Sequence, residues 1–113
     1  AMRVLLPKMK ERNYGRVLMI TSVAAREPMP GLTTSNGFRA GLPGLVKSVV
    51  NEYAASGITI NLLLPGYTDT DRIKALHLSE TKIKEMVPAG RLGYPRELAD
   101  LATFLASEKG AYI

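Results

Sequence analysis

Gly15-Arg16-Val17-Leu18-Met19-Ile20-Thr21-Ser22 and Gly57-Ile58-Thr59-Ile60-Asn61-Leu62-Leu63-Leu64-Pro65-Gly66 are the two stretches whose reading decides the fold. Each is a short apolar run that follows a glycine and stops at turn-forming residues, which is the pattern of a strand buried on both faces. Between them Leu45, Val46, Val49, Val50 and Tyr53 recur at helical spacing, with Lys47, Asn51 and Glu52 on the other face. Ser35 or Thr34 is expected to cap this helix, which runs to about Ser56. Pro43 lacks a backbone donor and crowds the carbonyl of Arg39, so the spacing predicts a kink or a delayed start. Strand, long helix, strand makes a βαβ unit, with parallel strands and a right-handed crossover.

Working outward, Met2, Leu5, Leu6 and Met9 lie among charged residues from Ala1 to about Arg12, as in the tail of an amphipathic helix. Asn13-Tyr14-Gly15 should stop it, because Asn and Gly tolerate the left-handed conformation. Val23 to Thr34 is rich in Pro, Gly and Thr and reads as a loop. After Pro65-Gly66 a polar turn, Thr68-Asp69-Thr70-Asp71, leads to short helices over 71–77 and 79–86. A loop over 88–95 ends at Pro95, which suits the first turn of a helix reaching about Ser107 and burying Leu98, Leu101, Ala102 and Leu105. Ala111-Tyr112-Ile113 reads as the start of an extended segment.

Composition narrows the function classes. With 113 residues, 46% hydrophobic and 22% charged, the chain is globular rather than disordered and amounts to one domain or less. No apolar run approaches the ~18 residues of a membrane span, and no signal-peptide core is visible, so neither membrane nor export is expected. The absence of cysteine removes disulfides, thiolate metal sites and thiol nucleophiles, and suits the reducing cytoplasm. A single histidine, His77, leaves a metal centre or a histidine triad short of parts, so no metal is expected. Fifteen basic against ten acidic residues give a net charge of +5. That charge is scattered along the chain, and nucleic acid is not an expected partner.

In open parallel sheets, ligands bind beyond the carboxyl ends of the strands. Ser22 and the loop Tyr67 to Thr70 both follow a strand and should therefore share one edge. Taken alone, Ser22 reads first as a strand-end turn former, and Pro65-Gly66 as an ordinary turn.

Order and spacing add a resemblance. Gly15 to Ala25, Gly57 to Thr70, Val87-Pro88-Ala89-Gly90-Arg91-Leu92-Gly93-Tyr94-Pro95-Arg96-Glu97 and Phe104-Leu105-Ala106-Ser107 together resemble the short-chain dehydrogenase/reductase family, in particular its 3-oxoacyl-acyl-carrier-protein reductase type. The resemblance covers essentially the whole chain. It implies an α/β fold: a partial Rossmann-like, doubly wound parallel sheet, from the family's fifth strand to the start of its seventh. It also implies NAD or NADP as cofactor and a small carbonyl or alcohol substrate.

Carried over position by position, Ser22 matches the family's catalytic serine, whose hydroxyl hydrogen-bonds the substrate oxygen. Pro65, Gly66, Tyr67, Thr68 and Thr70 fall in its Pro-Gly-x-x-x-Thr turn, where backbone after the glycine holds the nicotinamide carboxamide and the threonine touches the cofactor. Asn61 matches a structural asparagine. The family places a tyrosine thirteen residues after the serine and a lysine four further on; here those positions hold Ser35 and Arg39. Gly44 keeps the expected register. A serine hydroxyl is a far weaker acid than a phenol of pKa about 10. Arg39 keeps the positive charge and still reaches a ribose hydroxyl, but as a planar fork. The proton donor is then Tyr67 or a water held by Ser22 and Ser35; otherwise the protein is a catalytically impaired member that acts as a nucleotide-binding or assembly scaffold. Locally, Ser35 and Arg39 read equally as a helix cap and a solvated charge.

The family's glycine-rich pyrophosphate loop and first four strands have no counterpart here. The resemblance therefore implies that residues 1–113 are the C-terminal half of one Rossmann-type domain, inactive alone, with a bare sheet edge. It further implies a homo-oligomer formed through the helix 36–56, where Leu45, Val49 and Tyr53 would supply the apolar surface.

Overall fold

The computed structural model describes all 113 residues. Its centre is a two-stranded parallel sheet, β1 (Gly15–Ile20) and β2 (Ile58–Leu63), paired in register from Gly15 opposite Ile58 to Ile20 opposite Leu63. Helix α1 (Met2–Glu11) precedes β1, and α2 (Thr33–Tyr53) connects the strands. Three helices follow β2: α3 (Asp71–Lys74), α4 (Glu80–Met86) and α5 (Pro95–Ala106). The expected α/β, Rossmann-type βαβ architecture is present.

The core forms where α1 and α2 cover one face of this sheet. Leu6, Val46, Ile58 and Ile60 are buried together, with Met9, Val49, Val50 and Tyr53 packed against them. Each fully buried aliphatic side chain contributes about 1.5–3 kcal/mol. Two glycines are demanded by close approach. At Gly57, φ is 68° and an added Cβ would lie 2.6 Å from the Asn13 carbonyl oxygen. At Gly15 it would lie 2.7 Å from the Met9 sulfur. Asn13, at φ 51°, supplies the left-handed turn that ends α1, so Gly15 is kept for space and not for conformation.

Several local expectations change. Helix α2 starts at Thr33, with Leu32 as its cap, and neither Thr34 nor Ser35 caps it. The helix also runs unbroken through Pro43, without a delayed start, and closes in a 3-10 turn over Ala54–Ser56. Packing of its Val46 to Tyr53 stretch on the sheet outweighs the one lost backbone donor. Val23–Ala25 form a 3-10 turn inside the expected loop. The first helix after β2 stops at Lys74, and the chain reaches the left-handed conformation at His77, φ 48°.

Burial is lower than the apolar runs predicted. β1 is mostly half-buried, and Ile20 is 66% exposed, because the strand has a neighbour on one edge only. In α5, Leu105 is buried but Leu101 is 47% exposed. Ala111 is αR, in a turn, so the expected extended segment is absent there. The Ile113 carbonyl instead accepts a hydrogen bond from the Asn61 amide at 2.9 Å. Along α2, Val49 and Tyr53 turn toward the core and only Leu45 of the expected apolar trio is exposed. The radius of gyration, 16.5 Å, exceeds the roughly 13 Å of a compact domain of this length. Only nine residues are buried. No helix is long and apolar enough to cross a membrane.

Candidate functional site

Both strands end at the same edge, and backbone hydrogen bonds tie their exits together. Thr21 N–H donates to the Leu63 carbonyl at 2.9 Å, and Val23 N–H donates to the Pro65 carbonyl at 3.1 Å. Ser22 is therefore fixed beside Pro65 and Gly66, although more than forty residues separate them in sequence. Its hydroxyl accepts from Ala24 N–H at 3.2 Å and caps the 3-10 turn. The turn-forming role is real, and it also orients the side chain: the oxygen faces the turn while the hydroxyl proton remains free to be donated elsewhere.

Ser22, Ser35, Arg39, Pro65, Gly66 and Tyr67 line one cleft of about 510 Å³. Thr68 and Thr70 line a neighbouring cleft of about 580 Å³ that shares Ser22, Arg39, Pro65 and Gly66. All of the sequence-nominated residues thus converge on two adjoining hollows. Ser35 and Arg39 sit one turn apart on α2, and the Arg39 guanidinium donates to the Ser35 hydroxyl oxygen. No cluster of residues able to hold a metal ion is present.

The loop after β2 is suited to a carboxamide. The N–H groups of Tyr67 and Thr68 have no acceptor within the protein, and a Cβ added to Gly66 would meet nothing within 4 Å. Two free donors beside an open glycine match the carbonyl oxygen of an amide ligand. The Thr21 hydroxyl, on the wall of the second cleft, is likewise buried without a partner. These residues fit a nicotinamide cofactor on this edge.

That loop is braced from behind. Gly93 N–H donates to the Tyr67 carbonyl at 3.0 Å and Asp69 N–H donates to the Gly93 carbonyl at 2.8 Å, making a short parallel bridge. Gly93 is held in turn by a clamp at the start of α5, where Arg91 grips Glu97 with two hydrogen bonds of 2.9 and 2.6 Å. Glu97 also accepts from Tyr94 N–H at 2.7 Å. The Arg91 hydrogen bond, followed by that of the Tyr94 backbone, pulls the Glu97 carboxyl down to about 2, and the same pair raises Arg91.

Several residues in or behind the clefts escaped the sequence reading. Asn36 straps the loop after β1: its amide donates to the Met29 carbonyl at 2.8 Å and its oxygen accepts from Met29 N–H at 3.3 Å. Met29 and Leu32 then form an apolar wall opposite Ile73 and Leu76. Arg72, from α3, lines both clefts. Asn36 stands beside the noted Ser35 and could have been flagged as a loop strap; nothing local marks Arg72.

A family model described as enoyl-(acyl carrier protein) reductase matches residues 1–113. The chain is 38% identical over 112 residues to a 3-oxoacyl-[acyl-carrier-protein] reductase of Vibrio cholerae, covering 98% of this chain and 46% of that protein. It is 36% identical over 107 residues to an acetoacetyl-CoA reductase of Rhizobium meliloti, covering 93% and 44%. The chain spans about half the length of the curated relatives it matches. Among solved structures, ElxO with NADP bound superposes with a TM-score of 0.89 at 27% identity, over 99% of this chain and 47% of that one. A 7α-hydroxysteroid dehydrogenase complexed with NADH and 7-oxo glycochenodeoxycholic acid gives 0.88 at 28%, over 99% and 45%.

Proposed function

The chain belongs to the short-chain dehydrogenase/reductase family, and from that premise we propose that the protein carrying it is an NAD(P)-dependent oxidoreductase acting on a small carbonyl or alcohol. The single observation that carries this reading is the convergence of Ser22, Ser35, Arg39 and the Pro65–Tyr67 turn on one cleft. The chemistry supplied by a bound nicotinamide is donation or acceptance of a hydride at the substrate carbon.

The chain's own residues do the rest. Ser22 donates its free hydroxyl proton as a hydrogen bond to the substrate oxygen and so stabilises negative charge developing there in the transition state. Tyr67 and Thr68 N–H groups orient the carboxamide, and Thr70 adds a hydroxyl contact on the cofactor side. Arg39 offers its remaining donors to a ribose hydroxyl while holding Ser35. The proton required at the new alcohol oxygen comes from Tyr67 or is relayed from solvent through a water bridging Ser22 and Ser35, since neither aliphatic hydroxyl is acidic enough alone.

In this reading residues 1–113 form the C-terminal half of one Rossmann-type domain in a cytoplasmic protein. The expanded shape and small core support that role, as half a domain leaves apolar surface uncovered. Helix α2, with Leu45 and Phe38 exposed, is the face for a second copy of the chain. The fragment alone should bind nucleotide weakly and turn nothing over; micromolar binding of NAD(P) to the 113-residue chain would refute that part.

The test of the main reading is Ser22→Ala in the full-length protein: unchanged reductase activity would remove Ser22 from the mechanism. Ser35 and Arg39 support a second reading, a catalytically impaired scaffold, because the position that needs an acidic phenol holds a serine. Ser35→Tyr combined with Arg39→Lys separates the two. A large gain in turnover favours the scaffold, and a loss favours a distinct proton donor.

A further inference from the structure

Arg72 is a guanidinium without an assignment. It lines both adjoining clefts, yet it takes part in none of the four ion pairs and donates none of the side-chain hydrogen bonds in the molecule. The acidic neighbours do not neutralise it: Asp69 lies 3.7 Å from Lys74, and no aspartate or glutamate lines either cleft. The only other charged side chain on these walls is Arg39, a second cation, whose guanidinium is turned to Ser35. Arg72 is exposed at the mouth of these clefts, so two like charges share walls whose remaining surface is apolar or hydroxylic. Ile73 and Leu76 follow Arg72 on its own segment, and Met29 and Leu32 line the same cleft.

A cleft lined by one sign of charge with low-dielectric walls concentrates ions of the opposite sign. A guanidinium is also the group best shaped for a two-pronged contact to a carboxylate or phosphate. We propose that Arg72 binds an oxyanion, a carboxylate or a phosphate, carried by the ligand that fills the Ser22 cleft. The inference rests on the oxidoreductase reading above and adds to it the charge of what is bound. A keto acid with its carbonyl at Ser22 satisfies it from the substrate side, and a nucleotide pyrophosphate satisfies it from the cofactor side.

Both sources are tested in the full-length protein by calorimetric titration of wild type, Arg72→Ala and Arg72→Lys. The probes are NADPH, and then acetoacetate and its neutral ethyl ester added to protein saturated with NADP. A substrate-borne anion predicts that wild type prefers acetoacetate to the ester by about tenfold or more, that Arg72→Ala brings the two within about twofold, and that NADPH affinity stays within twofold. A cofactor-borne anion predicts that NADPH binding weakens about tenfold or more in Arg72→Ala, with no acetoacetate preference in wild type. Arg72→Lys should fall between wild type and alanine in whichever measurement responds, because the charge remains and the fork is lost. If neither the acetoacetate preference nor NADPH affinity depends on Arg72, the proposal is overturned while the oxidoreductase reading stands. If wild type binds neither NADPH nor, in a parallel titration, NADH, both fall.

Discussion

The loop after β2 is braced to a distant segment by main chain alone, whereas the loop after β1 adds two side-chain straps to its backbone hydrogen bonds. Tyr67 and Asp69 exchange backbone hydrogen bonds with Gly93, whereas the segment from Ser22 to Leu32, tied to Pro65 through Val23 N–H, is further fastened by the Ser22 hydroxyl and the Asn36 amide. Backbone groups are present whatever the side chain, so the first arrangement survives sequence change and keeps its two free N–H groups in place. The second depends on two particular residues, one of which is also the proposed catalytic hydroxyl. On the proposed function, the loop on the cofactor side therefore tolerates sequence change better than the loop on the substrate side.

The largest effect should come from removing the residue with two duties. Ser22→Ala is expected to lower kcat/KM of the full-length protein about 100- to 1,000-fold, the scale of losing one donor to a developing oxyanion. Loss of the turn cap should cost about 0.5–2 kcal/mol in denaturant unfolding. An activity loss without any change in stability would show that the cap is idle and would weaken the contrast between the loops.

Asn36→Ala breaks the other strap. Two hydrogen bonds to Met29 disappear, so about 1–3 kcal/mol of stability should go, and amide exchange at Met29 should accelerate. The substrate KM should rise several-fold while cofactor affinity holds. Equal damage to cofactor binding would mean that the two loops are not independently held.

A smaller effect is expected on the braced side. Glu97→Gln removes the charge that Arg91 grips, but the pair is half exposed and the Gly93 bridge is main chain. Cofactor affinity should weaken by no more than about fivefold, the scale of an exposed ion pair. A loss of a hundredfold would show that the clamp, and not the backbone bridge, sets the loop.

The smallest effect is a pH dependence. Glu97 is held down at about 2 against an ordinary value of 4.5. A lowered carboxyl stabilises the fold above its unfolded value and loses that contribution as pH falls toward the folded one. Exchange protection of the Gly93 amide should therefore decline between about pH 4.5 and 2, and Glu97→Gln should flatten that part of the profile. An unchanged profile in the variant would detach Glu97 from the bridge.

Much of this molecule was legible in the residue order. The two apolar runs, the helical spacing of Val46, Val49 and Tyr53, and the placement of Ser22 and Pro65-Gly66 at strand ends are local patterns, and local patterns carry period and punctuation. Together with the family spacing they identified the architecture and nominated one edge of the sheet as the candidate site. What failed was burial: Ile20 and Leu101 are as apolar as core residues, and no short-range pattern tells whether a neighbour arrives to cover them. Helix α2 likewise starts ahead of its expected caps and continues through Pro43, since its later turns pack on the sheet. Asn36 on Met29, Gly93 behind Tyr67 and Arg72 in the same clefts as Ser22 belong to the same class of fact. Each joins residues from different elements, so its geometry is decided only when the strands pair and the helices dock.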